Sequence, residues 1–137
     1  MSELHDGGIC RRILVADDSA TAREWLRRRL EGRYEVSLAR DGNEAVVSAI
    51  AARPDLILLD VEMPGVDGLA ACRALRSMPA TRAVPIILVT SHTEPFDVES
   101  GFASGCTDYI GKPVDETELI EKVASWVEAG GVSGGGQ

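Results

Sequence analysis

The 137-residue sequence predicts an α/β fold: a five-stranded parallel sheet, doubly wound, with five helices spread over its two faces. Short apolar runs alternate with longer amphipathic stretches, which is the rhythm of βα units. Several runs are apolar on consecutive residues, as strands buried on both faces require. The length suits one compact unit of ~100–200 residues.

The strands are RRILVA ending at Ala16, YEVSLA ending at Ala39, DLILLD ending at Asp60, VPIILVT ending at Thr90 and the weaker TDYIG ending at Gly111. Between the first two, Ser19 to Glu31 reads as a helix. Asp18 and Ser19 are its capping candidates, Ala22, Trp25, Leu26 and Leu30 recur at helical spacing, and Gly32 stops it. A second helix runs from Gly42 to Ala52, ahead of Pro54, and a third from Gly68 through Leu69, Cys72 and Leu75 to Ser77. Asp97 to Ser104 is read as the fourth, with Gly101 inside it. In the fifth, Asp115 to Glu128, Leu119, Val123, Trp126 and Val127 form one stripe. Residues 1–10 read as a flexible leader, 11–129 as the folding unit and 130–137, GGVSGGGQ, as a glycine-rich flexible tail.

Composition removes several functional classes. The net charge of −8 opposes the basic field that phosphate backbones require, so no nucleic-acid partner is expected. Charge is also uneven: residues 1–82 hold 12 arginines against 13 acids, whereas residues 83–137 hold two lysines against nine acids. No apolar run approaches the ~20 residues of a membrane span, and MSELHDGG lacks a basic leader followed by an apolar segment. A cytoplasmic protein without a membrane partner is expected. Cys10, Cys72 and Cys106 form no C-x-x-C pair, and His5 with His92 makes no metal-binding histidine cluster. GCTDYIGK, residues 105–112, has five residues between its glycines where a phosphate loop has four, and Pro113 stands where Ser or Thr is needed. GFASG, residues 101–105, places Ser104 one position late for a nucleophile elbow, and no histidine follows it.

Chemistry in a doubly wound sheet gathers beyond the carboxyl ends of the strands. There the sequence places Asp17 and Asp18 after the first strand, Asp60 at the third, Thr90 at the fourth and Lys112 after the fifth. Three converging carboxylates repel unless a cation and a lysine neutralise them, and Mg2+ suits a few carboxylates plus phosphoryl oxygens. A carboxylate beside such a cation, a hydroxyl and an ammonium is equipped to attack phosphorus and form an acyl phosphate. Asp60 is the central candidate. Each residue alone has a plainer role: an N-cap for the Asp17–Asp18 pair, a turn initiator for Asp60, a loop cap for Thr90, a solvated chain for Lys112. Arg27, Arg28 and Arg29, with Arg23 and Arg33, read as a solvated helix face.

ILVADDS (13–19), DLILLDVEMPGVDG (55–68), PIILVTS (85–91) and DYIGKP (108–113) together resemble the receiver domain of two-component response regulators, over residues 12–128. The sequence is similar to single-domain chemotaxis regulators. The resemblance implies the flavodoxin-like strand order 2-1-3-4-5. It makes Asp60 the phosphoacceptor, and Asp17, Asp18, Asp60 and the backbone carbonyl of Glu62 the ligands of Mg2+. Thr90 becomes the switch hydroxyl, Lys112 the ammonium pairing with phosphate, and Tyr109 the aromatic that turns inward, with a cis bond between Lys112 and Pro113.

The expected function is therefore a signalling switch. A histidine kinase or phosphotransfer protein supplies the phosphoryl group to Asp60, and affinity for a downstream partner changes at the face of the fourth and fifth helices. Such a protein is not an enzyme beyond its own phosphoryl transfer and dephosphorylation. The alternatives are an aspartyl-nucleophile phosphatase of haloacid dehalogenase type, which needs a second Asp where Glu62 stands, or the receiver portion of a longer hybrid kinase or multidomain regulator.

Overall fold

A computed structural model describes residues 10–92 and 94–136. Five strands, β1 Arg12–Ala16, β2 Glu35–Ala39, β3 Leu56–Asp60, β4 Ile86–Thr90 and β5 Asp108–Gly111, alternate with five helices, α1 Ala20–Leu30, α2 Gly42–Ala52, α3 Gly68–Arg76, α4 Pro95–Ala103 and α5 Glu116–Gly136. The strands form one parallel sheet in the order β2-β1-β3-β4-β5, as expected.

Side chains on successive strand residues point to opposite faces, so each central strand feeds two cores. Leu14, Ile57, Leu59, Ile86 and Leu88 pack against Ala45 and Ala49 of α2 and Ala71, Cys72 and Leu75 of α3. Their neighbours Ile13, Val15, Leu58, Ile87 and Val89 pack against Leu26 and Leu30 of α1 and Leu119, Val123 and Val127 of α5. Every residue of β3 and β4 is buried, which explains their unbroken apolar runs.

Side-chain oxygens cap the first three helices, each accepting a backbone N–H: Ser19 from Ala22 at 3.2 Å, Asp41 from Glu44 at 2.8 Å and Asp67 from Ala70 at 2.9 Å. Two helix boundaries differ from expectation. α4 starts at Pro95, two residues ahead of Asp97, because proline's fixed φ and missing N–H suit the first turn. Gly101 belongs inside it, since a Cβ there would stand 3.1 Å from Leu88 and 3.4 Å from the Tyr109 ring. The α5 backbone continues to Gly136, across most of the stretch read as a flexible tail. Each residue added to a helix gains one backbone hydrogen bond, but glycine costs ~1 kcal/mol relative to alanine, so helix propensity does not account for this extension. Of the leader read over residues 1–10, all but Cys10 lies outside the described residues, as does Gln137.

Candidate functional site

The carboxyl ends of β1, β3, β4 and β5 meet at one edge of the sheet, and the five residues expected there come together. Asp17 and Asp60 are almost wholly buried, at 1% and 2% exposure, while Asp18 is exposed. One carboxylate oxygen from each of Asp17, Asp18 and Asp60 lies within 4.8 Å of the others. Two like charges at about 4 Å cost roughly 4 kcal/mol at an effective dielectric of about 20, so three carboxylates exceed what one ammonium offsets.

That ammonium is Lys112, whose Nζ donates to Asp60 Oδ1 at 3.0 Å and lies 3.6 Å from Asp17 Oδ2. Burial works against its charge, but the bond to Asp60 and the charge of Asp17 outweigh it and raise its pKa. Burial is also the largest influence on Asp60. Together with the charges of Asp17 and Glu62 it overcomes the pull of Lys112 and pushes the carboxyl up to about 6. The Lys112–Pro113 bond is cis.

Asp17 carries the observation that bears on a cation. Its Oδ1 accepts the Ser19 N–H at 2.9 Å, whereas its buried Oδ2 has no hydrogen-bond partner among the described residues. A buried carboxylate oxygen that accepts no hydrogen bond, on a carboxylate grouped with two others, suits a hard divalent cation.

Thr90 is buried at the end of β4, but its hydroxyl donates to Glu62 Oε2 at 2.7 Å. The same Glu62 oxygen lies 3.1 Å from His92 Nε2, and the His92 N–H donates to Thr90 Oγ1 at 3.0 Å. The Tyr109 hydroxyl donates to the His92 carbonyl. Its ring stacks against Phe102 of α4, centroids 6.4 Å apart, and it helps line a cleft of about 600 Å³ beside Thr90, Glu62, His92 and Asp97. Sequence reading did not foresee that Glu62 and His92 join Thr90 to Tyr109. These four groups come from the β3–α3 loop, the end of β4, the loop after it and β5, so no spacing pattern connects them.

A family model described as the response regulator receiver domain matches residues 13–124. The chain belongs to this family. Receiver domains are the phosphorylation-controlled switches of two-component signalling and bind Mg2+ at an acidic pocket. The receiver is 43% identical over 115 residues to "Response regulator PleD" of Caulobacter vibrioides, a match covering 83% of this chain and 25% of PleD. It is 42% identical over 113 residues to "DNA-binding response regulator MtrA" of Mycobacterium tuberculosis, covering 82% of this chain and 48% of MtrA. The chain thus spans a quarter to a half of these curated relatives. Among solved structures, chemotaxis protein CheY4 of Vibrio cholerae superposes with a TM-score of 0.80 at 33% identity, covering 87% of this receiver and 99% of that chain.

Proposed function

We propose that this receiver takes a phosphoryl group from a histidine kinase or phosphotransfer protein onto Asp60 and then changes its affinity for a partner protein. The observation that carries the reading is Asp60 itself, a buried carboxylate at a strand end, bonded to Lys112 and faced by Asp17 and Asp18. An Asp60 oxygen attacks phosphorus, the bond from phosphorus to the donor's imidazole nitrogen breaks, and its electron pair stays with that nitrogen. Asp17, Asp18, Asp60 and the main-chain carbonyl of Glu62 would hold Mg2+, which neutralises charge on the phosphoryl oxygens. Lys112 pairs with one phosphoryl oxygen, and Thr90 donates to another once it leaves Glu62. Later hydrolysis of the acyl phosphate by water regenerates the Asp60 carboxylate, releases inorganic phosphate and resets the switch.

The partner engages the face of α4, β5 and α5. Phe102 is 47% exposed there, against Tyr109, and acids outnumber bases in this part of the chain. A basic partner surface complements it. Duplex DNA does not, at a net charge of −8, and the DNA binding in MtrA's name belongs to a protein about twice as long as the matched segment. Among the described residues no helix is long and apolar enough to cross a membrane, and the proposed setting is the cytoplasm. The phosphatase alternative lacks its second aspartate, and the glutamate in that place is engaged by Thr90 and His92.

Intact-mass spectrometry after incubation with phosphoramidate tests the assignment. One phosphoryl group is expected with Mg2+ and none with EDTA, and Asp60→Asn abolishes it. Undiminished labelling of Asp60→Asn overturns it.

A further inference from the structure

The arginine-rich helix α1 does not present one uniform basic face. Arg27 pairs with Glu24 and Glu31, and Arg28 with Glu24 at 3.0 Å. Arg29 lies 3.9 Å over the Trp25 ring and 3.8 Å from Glu116 of α5. Arg23 does something else. Its Nη1 reaches back past the start of α1 and donates to the main-chain carbonyl of Asp17 at 2.7 Å.

That carbonyl precedes the α1 N-cap, Ser19, and so lies outside the helical ladder. Asp17 is thereby held at three points. Its N–H donates to Ala39 O at 3.1 Å, its Oδ1 accepts from Ser19 N, and its carbonyl accepts from Arg23. The remaining atom, Oδ2, accepts no hydrogen bond among the described residues and lies 3.6 Å from Lys112 Nζ, and one Asp17 carboxylate oxygen is within 4.8 Å of an oxygen of Asp18 and of Asp60. Helical side chains lean toward the N-terminus, which is how a residue six positions along the chain reaches this carbonyl.

We propose that Arg23 is a positioning residue for the cation site: by pinning the Asp17 main chain it fixes the direction of Asp17 Oδ2. The inference rests on the reading that the three aspartates take Mg2+. Its sign separates it from simple electrostatics. A guanidinium near a cation site repels the cation, so neutralising Arg23 through charge alone tightens Mg2+ binding. Loss of the brace loosens it, since removing a group that orients a metal ligand typically weakens affinity ~10–100-fold. The charge relief partly offsets this, which puts the expectation near the lower end, about tenfold weaker.

Titration of the metal-free protein with MgCl2 decides between the two signs. Trp25 fluorescence is the readout, since Trp25 lines the same depression as Asp17 and Lys112. Arg23→Ala is expected to bind Mg2+ about tenfold more weakly, with its urea midpoint in EDTA lowered no more than the loss of one main-chain hydrogen bond requires. Arg23→Lys, which can still donate to the carbonyl, is expected to recover most of the affinity. Amide exchange at Ser19, whose N–H bonds to Asp17 Oδ1, is expected to quicken in metal-free Arg23→Ala. Equal or tighter Mg2+ binding by Arg23→Ala overturns the proposal. A parent protein that binds no Mg2+ overturns the cation reading of the aspartates, and Ser19 exchange then judges the brace alone: faster exchange in Arg23→Ala upholds it and unchanged exchange overturns it.

Discussion

Asp60 ends a strand whose five residues are all buried, and an ionised carboxylate is costly there. The structure meets that cost only in part, through one bond from Lys112, and burial pushes the carboxyl up to about 6, above the usual acid range. Both buried thiols show the same burial effect, which hydrogen bonds and nearby arginines offset only in part. Cys72 is pushed up, and Cys106, buried and near the Cys72 sulfur, is pushed up to about 12. A raised thiol pKa means the proton stays on as pH rises through the ordinary thiol range, so the reactive thiolate is scarce at pH 8 in the folded state. Iodoacetamide at pH 8 is therefore expected to modify the half-buried Cys10 and to leave Cys72 and Cys106 unmodified until urea unfolds the chain. Peptide mapping checks this, and modification of Cys106 in the native protein would falsify its burial.

At the scale of elements, the site depends on how closely α3 approaches the end of β3. A Cβ on Gly68 would lie 2.3 Å from the Asp60 carbonyl and 2.7 Å from Val61 Cα, and backbone atoms cannot step aside as a flexible side chain can. Gly68→Ala is expected to destabilise the fold by ~1–3 kcal/mol, the range for overpacking, and to lower phosphorylation of Asp60 by displacing its main chain. Gly32→Ala, which meets nothing within 4 Å, serves as the control in urea unfolding. These contacts were not legible in the sequence, where Gly68 reads only as the start of a helix. What was legible follows from burial on two faces: the apolar runs of β3 and β4 mark central strands, and their carboxyl ends put Asp60 and Thr90 at one edge. The strand order came from the family resemblance, not from periodicity, because apolar runs say nothing about which strands are neighbours. The start of α4 was missed because its first turn carries no side-chain cap bond, and proline alone marks it. Arg23 carried a usable signal, a long donor six residues after Asp17 on the first turn of a helix, which the neighbouring arginines obscured.

At the scale of the whole molecule, the contacts run from the acidic site to the far edge of the sheet. Thr90 donates to Glu62, His92 Nε2 lies 3.1 Å from the same Glu62 oxygen, and the His92 carbonyl takes the Tyr109 hydroxyl. Beside Tyr109, Asp108 accepts the Trp126 indole N–H at 2.7 Å, and Lys122 of α5 donates to the Tyr109 carbonyl at 2.7 Å. In the proposed switch, a phosphoryl group on Asp60 would compete with Glu62 for the Thr90 hydroxyl. If Thr90 turns to it, the His92 loop loses its tie and Tyr109 is free to move toward the space vacated. Two groups acting on one two-state element must show coupled effects, whereas independent groups add. The Trp126 indole resonance is a local reporter, since its N–H bonds to the strand that carries Tyr109. Thr90→Ala is expected to accept phosphate, because Asp60, Lys112 and the aspartates remain, yet to lose most of the phosphorylation-induced shift of that resonance. Tyr109→Ala should lose most of it as well, and the double variant little more than either. Losses that simply sum would mean that Thr90 and Tyr109 respond to phosphate by separate routes.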